Sequence, residues 1–454
     1  MLREIVKVIE ESCVGCNKCI RSCPQIFANK IAINEGISRV VPVKENCIAC
    51  GECIKKCNHN ARTYDDDTER FMKDLRDGKN ISVVVAPAFA LNYPKEHKRV
   101  FTWLKELGVK YIYDVSFGAD ITTLLYVKAI EQFNLKTVIA TPCPTIVNSI
   151  ERYYPELIPY LCPVGSPMHC AAIYLKKYDG FSGKVASISP CIAKADEFER
   201  TNSINYNVTF KNLMDIYSKE ENKPSTETDF DSPMSLTGFW YPTPGGLKES
   251  VEQVFGKRFH VKKIEGPKLT TGYLKNLSKS SVKPLLIDIL NCEEGCLKGT
   301  GTNTSMYADE MDYLLYSKTR EILAKKSGFK KLSPKDIIHT LGKKLKIEDF
   351  LVSYKNRVIS FKEEDSNLIE NQFTELKKYT KEEKTHDCSA CGYNTCREMA
   401  IAIMNGYNYK ENCIEYNKKV MQEESDVIAE LKNEAEANLA KEKFRAEKTA
   451  MAIQ

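Results

Sequence analysis

Twelve of the 18 cysteines fall into three tight groups. Cys13, Cys16, Cys19 and Cys23 have the spacing Cys-x2-Cys-x2-Cys-x3-Cys, and Cys47, Cys50, Cys53 and Cys57 repeat it. Cys388, Cys391, Cys396 and Cys413 are spaced Cys-x2-Cys-x4-Cys-x16-Cys. Thiolates are soft ligands that suit iron–sulfur clusters or zinc. So many cysteines in a reducing cytosol point to metal rather than disulfides.

Pro24 completes the first run in the manner of bacterial ferredoxins, whereas Asn58 stands where the second run would have its proline. In two-cluster ferredoxins the fourth cysteine of each run serves the other cluster. Cys13, Cys16, Cys19 and Cys57 are therefore assigned to one 4Fe-4S cluster, and Cys47, Cys50, Cys53 and Cys23 to another. Two zinc knuckles are the competing reading. Two clusters held close together make a short electron relay.

The elements that must position these groups follow from the apolar pattern. Residues 1–78 hold the two runs, with Lys30–Val43 alternating like a hairpin around Asn34-Glu35-Gly36. Residues 79–380 alternate short apolar runs with helical stretches, as an α/β domain does. Residues 381–416 hold the third group, and residues 417–454 form a charged helical tail. Ile81–Ala86, Thr137–Ala140, Val185–Ile188 and Leu285–Leu290 read as buried strands, and Lys219–Ser232 as a surface loop. Three of those strands lead directly to cysteine: Cys143, Cys191, and Cys292 with Cys296. Ligands of open α/β sheets bind outside the carboxyl ends of strands. Four thiolates from three strand ends could thus meet around one buried cluster; ordinary core cysteines are the plainer alternative.

At these residues the chain resembles the iron–iron hydrogenases. Thr141-Pro142-Cys143-Pro144, Ser189–Glu197 and Asp288–Gly301 look like the three cluster motifs of that family. Phe117–Asp120, Tyr153–Leu157, Ser166-Pro167 and Gly245-Gly246 match as well. The resemblance covers about residues 1–380. It implies a catalytic domain carrying an H-cluster, whose 4Fe-4S half would be held by Cys143, Cys191, Cys292 and Cys296. Cys296 would bridge to a two-iron unit carrying CO, cyanide and an azadithiolate. The implied reaction is reversible splitting of dihydrogen into protons and electrons, with a ferredoxin or another redox protein as electron partner. Lys194 matches a lysine that donates to a cyanide ligand.

Departures from the family pattern fall on the expected proton route, where each step needs a titratable or hydroxylic group. Pro142 occupies the place of a relay cysteine and has neither thiol nor N–H. Tyr126 and Ala129 stand where two glutamates are expected, and Cys162 where a serine is. Glu197 survives. Ala88 replaces a serine, Met168 a glutamine, and Ser189 a methionine. Cys162 reads as a replacement relay or a plain buried thiol, Cys170 as packing, and His169 as a pocket residue or a structural one. The pattern is similar to the sensory branches of the family, in which a slow site reports hydrogen or redox state.

The third cysteine group resembles small 4Fe-4S domains of electron-transfer proteins, with zinc as the competing metal. Glu398–Asn405 reads as a short helix behind it. In the tail, Ile428, Leu431, Ala435 and Leu439 fall three or four apart. That stripe suits a homodimer coiled coil or signalling helix, or a plain surface helix. The pattern reaches Gln454 with no stop signal, which suits relatives that continue into an output domain, or a chain cut short there.

Composition narrows the rest. Lys+Arg (66) nearly balance Asp+Glu (61), so the net +5 gives no reason to expect nucleic acid as a partner. No apolar run approaches the roughly 18 residues of a membrane span, and no signal peptide is read at the start. The sequence thus predicts a cytoplasmic protein with an H-cluster and three further 4Fe-4S clusters. The favoured function is a slow, sensing hydrogenase that acts with a signalling partner. An ordinary ferredoxin-linked hydrogenase, and a non-enzymatic iron–sulfur protein lacking the two-iron unit, are the alternatives.

Overall fold

The computed structural model describes residues 3–34, 36–325, 341–362 and 365–453. Its contacts divide the chain into two compact units. One comprises Met1–Cys13, Ser22–Ala28 and Pro42–Ser360; the other comprises Val14–Arg21, Asn29–Val41 and Phe361–Gln454.

The strands in chain order are β1 (Val6–Val8), β2 (Asn29–Asn34), β3 (Ile37–Pro42), β4 (Arg62–Tyr64), β5 (Ile81–Val85), β6 (Ile112–Asp114), β7 (Val138–Ile139), β8 (Lys184–Ser189), β9 (Tyr206–Thr209), β10 (Val261–Glu265) and β11 (Leu286–Leu290). The expected hairpin is β2 with β3, and the four expected buried strands are β5, β7, β8 and β11.

The first unit contains two parallel sheets. Four strands are ordered β6-β5-β8-β9, and three are ordered β10-β11-β7. Parallel strands lie between helices and are buried on both faces, which is why they read as unbroken apolar runs. β5 (Ile-Ser-Val-Val-Val) and β11 (Leu-Ile-Asp-Ile-Leu) are buried at every position. β1 and β4 add a small antiparallel pair.

The helix Val115–Gln132 grows directly out of β6. Asp114 caps it, its side chain accepting from Ser116 N at 2.8 Å. The helix is buried over most of its length and packs against the helix Pro167–Ile173. Gly118 permits that approach, since a Cβ there would lie 2.2 Å from the Pro167 carbonyl oxygen. From the same helix the buried Asp120 carboxylate collects hydrogen bonds from Ser235 Oγ, Leu236 N, Thr237 N, Thr237 Oγ1 and Gly238 N. These fasten the 235–238 loop.

In the second unit, the helix Ser366–Glu375 packs on Cys396–Met404, and a 40-residue helix, Ile414–Ile453, follows. The Glu398–Asn405 helix expected from sequence lies within Cys396–Met404 apart from its last residue. Ile428, Leu431 and Leu439 are all more than half exposed on the long helix. Among the described residues, no helix is long and apolar enough to cross a membrane.

Candidate metal centres

Three strand ends bring cysteines from both sheets of the first unit together. β7 leads to Cys143, which caps the helix Pro144–Tyr153 with Pro144 in its first turn. β8 leads to Cys191, three residues before the helix Lys194–Thr201. β11 leads to the turn bearing Cys292 and Cys296. That turn is anchored where Cys296 N donates to the Pro242 carbonyl at 2.7 Å. Gly295, at φ +59°, leaves no room for a side chain, since a Cβ would lie 2.3 Å from the same oxygen.

The thiols of Cys191, Cys292 and Cys296 feel the charge of their neighbours. Burial first, then Cys143 and Cys292, push Cys191 up to about 12. Burial, opposed by Lys55, takes Cys292 to about 11. Cys296 lies well above the usual range for burial and for Cys143, Cys292 and Cys191. Four ionised thiols in so dry a place would be prohibitively costly without a metal to neutralise them. That environment fits an iron–sulfur cluster. Among the described residues, no three His, Cys, Asp or Glu side chains close on a single metal ion.

Beside Cys191 and Cys296 lies a cavity with about 520 Å³ of empty space, lined also by Pro142, Met168, Lys194 and Pro242. Its walls are mostly apolar side chains. Lys194 is buried and uses its three N–H bonds within the protein. They go to Glu197 Oε2 at 2.6 Å, Ser166 Oγ at 2.9 Å and the Pro142 carbonyl at 3.2 Å. Ser166 in turn donates to Glu197 Oε1. For Lys194 to donate to a ligand in the cavity, it must release one of these acceptors, and Pro142 is the longest. Ser166 is the polar group that sequence reasoning left without a role; its place in the Ser166-Pro167 match was the only signal.

Of the other predicted site residues, Met168 lines the cavity and the rest stand further back. Ala88 is buried in the helix Ala88–Asn92, while its neighbours Ala86 and Pro87 line the cavity. Glu197 stands behind Lys194. Met168 lines the cavity and its sulfur accepts from Ser187 Oγ at 3.1 Å. Cys162 and Cys170 are buried outside the lining, and burial pushes both thiols up, Cys170 to about 12. Tyr126 is closed into a local ring: its hydroxyl accepts from Thr141 N at 2.9 Å and lies 3.0 Å from Thr141 Oγ1. His169 is buried with neither ring nitrogen hydrogen-bonded; burial draws it down to about 4, against the pull of Glu197.

The inner set of the dicluster segment is also in the first unit. Cys50 is raised well above its usual range, first by burial and then by Cys23, Cys53 and Cys47. Those are the four residues assigned together from the spacing. The Cys50 carbonyl accepts from Thr300 Oγ1 at 2.9 Å, four residues beyond Cys296. Gly51 allows the contact, since a Cβ there would lie 2.2 Å from that hydroxyl oxygen. Of the remaining dicluster cysteines, Cys13 and Cys57 belong to the first unit, and Cys16 and Cys19 to the second.

The third cysteine group rings a cavity in the second unit with about 360 Å³ of empty space, lined by Cys388, Cys391, Cys396 and Cys413. Burial, then Cys413, Cys388 and Cys396, push Cys391 up to about 11. Asp387 Oδ1 accepts from Cys396 N at 2.7 Å and fixes the turn.

Comparison with known proteins gives three family matches. Residues 79–300 match the iron-only hydrogenase large subunit, C-terminal domain; residues 5–58 a 4Fe-4S dicluster domain; and residues 386–426 an Fe-S cluster family. The periplasmic [Fe] hydrogenase large subunit of Nitratidesulfovibrio vulgaris is 32% identical over 218 residues, 42% of this chain and 51% of that one. A cytosolic Fe-S cluster assembly factor of Yarrowia lipolytica is 31% identical over 104 residues, 21% of each chain. A structure of a [FeFe]-hydrogenase HydA1 variant from Chlamydomonas reinhardtii aligns at a TM-score of 0.49 and 18% identity, covering 64% of this chain and 99% of that one. The chain spans about half the length of the curated hydrogenases it matches. Residues 79–300 thus match the C-terminal domain of the iron-only hydrogenase large subunit, with a 4Fe-4S dicluster match before that region and an Fe-S cluster match after it.

Proposed function

We propose that this protein is a slow iron–iron hydrogenase whose turnover serves sensing of hydrogen or redox state. Cys143, Cys191, Cys292 and Cys296 would hold the four-iron half of an H-cluster. The cavity lined by Pro142, Met168 and Lys194 would receive the two-iron half. The observation that carries the proposal is the meeting of thiols from both sheets beside that cavity. When bound, the H-cluster supplies the metal chemistry that splits dihydrogen heterolytically.

The chain's own residues do the rest. The apolar lining excludes water. Lys194, held by Glu197 and Ser166, keeps a positive charge at the wall where anionic ligands would sit. Pro142 offers no proton carrier at the mouth of the usual route, which supports slow turnover. Cys23, Cys47, Cys50 and Cys53 would hold the cluster that passes electrons to and from this centre. A reducing, cytoplasmic setting and a signalling partner belong to the same proposal.

The test is infrared spectroscopy on protein loaded with the azadithiolate two-iron unit and then exposed to hydrogen. CO and cyanide bands that shift under hydrogen are expected. In the same preparation Pro142→Cys raises hydrogen turnover; unchanged turnover refutes the broken relay. The 31% identity to an iron–sulfur assembly factor favours a second reading, a non-enzymatic protein with its four-iron clusters alone. That reading predicts full four-iron loading with no CO or cyanide bands.

A further inference from the structure

The second unit brings two cysteine groups that are far apart in sequence into direct contact. Asn17 lies between Cys16 and Cys19. Its Nδ2 donates to the carbonyl of Ala390, which lies between Cys388 and Cys391, at 3.2 Å. The same Nδ2 donates to Asn412 Oδ1 at 2.7 Å, one residue before Cys413. Asn412 Nδ2 then donates to the Cys391 carbonyl at 3.3 Å. Beside this bridge Arg21 donates to the Ser389 carbonyl at 3.3 Å.

The backbones approach as closely as the amides do. Gly392 follows Cys391 at φ +94°, and a Cβ there would lie 2.7 Å from Ile20 Cβ and 3.1 Å from the Asn17 carbonyl oxygen. Only glycine fits both the conformation and the space. Asn17 is itself buried, at φ +60°. A partly buried side-chain network centred on the buried Asn17, joining two loops each flanked by cysteines at cluster spacing, is more than loop packing requires.

We infer that the C-terminal cluster is a station of the electron relay, wired to the cluster of Cys16 and Cys19 through the Asn17–Asn412 bridge. This rests on the cluster assignments read from the cysteine groups in the sequence, though not on the two-iron unit. The step is a one-electron exchange: one cluster is oxidised, the other reduced, and no bond or proton moves. An added one-electron reductant supplies the electron. The helix Ile414–Ile453 begins one residue after Cys413, so the relay ends at the root of that helix. The C-terminal cluster is then the relay's outlet toward whatever the helix contacts.

The full chain, reconstituted with iron and sulfide without the two-iron unit and reduced with dithionite, provides the test. Paramagnetic resonance is expected to show split or broadened signals from the interacting pair. Cys396→Ser, which removes the C-terminal cluster, should abolish that splitting. Asn17→Gly should narrow it at unchanged iron content, because glycine keeps the backbone conformation and removes the amide. Microwave power saturation of the wild-type protein reads the same coupling without a variant. A wild-type spectrum that is the plain sum of isolated clusters, or iron that never reaches the C-terminal site, overturns the inference. Infrared bands from the two-iron unit would stand or fall independently.

Discussion

Lys194 and Glu197 form a buried ion pair 2.6 Å apart, and Ser166 completes its hydrogen bonds. Removing one member of such a pair leaves the other charge in a dry site, at a cost of about 3–5 kcal/mol. Lys194→Met should therefore destabilise the protein by that order in urea unfolding. The double variant Lys194→Met/Glu197→Gln should recover part of the loss, since no buried charge remains. A full additive loss in the double variant would show that the pair contributes nothing as a pair. The resemblance of Ser189–Glu197 to a hydrogenase cluster motif pointed to both residues. It marked Ser166 only as part of the Ser166-Pro167 match and gave it no role, because a serine becomes the third corner only when a helix start from elsewhere in the chain is folded beside Lys194. Asn17 and Asn412 were illegible for the same reason: an asparagine between two cysteines has no distinctive pattern until its partner loop arrives.

At the level of elements, the strands that carry cysteines were legible because they are continuous apolar runs. Others were hidden. β6 is three residues long, and β10 is an edge strand whose exposed Lys262 and Lys263 break the apolar pattern. The division into two sheets was not legible at all, since strand neighbours are set by contacts between distant segments. The helix pair Val115–Gln132 and Pro167–Ile173 gives a sharp test of how tightly the site is framed. Gly118→Val would force branched carbons into the Pro167 carbonyl, and overpacking of this kind costs about 3 kcal/mol. A lowered unfolding midpoint with loosened cavity residues is expected; wild-type stability would mean that the helices do not need to meet so closely.

At the scale of the molecule, the bound iron and the protons of the medium compete for the same thiols. Burial holds the metal-free thiols of Cys191 and Cys292 near 12 and 11, so without iron they carry protons at neutral pH. Loss of metal consumes protons and is therefore favoured as pH falls. Chelation of iron from the intact chain should accelerate from about pH 8 to about pH 6, read by loss of visible absorbance. A flat profile would place the exposed clusters, not the buried one, in control of the measured loss.

Cys143 and Cys292 hang from one sheet and Cys191 from the other, with no shared strand between them. An inorganic centre seated there acts as a rivet through a seam. Even without the rivet, main-chain bonds cross the seam, as where Gly301 N donates to the Pro190 carbonyl at 2.9 Å. A cluster seated there would complete the folding of the unit, and its loss would begin the undoing.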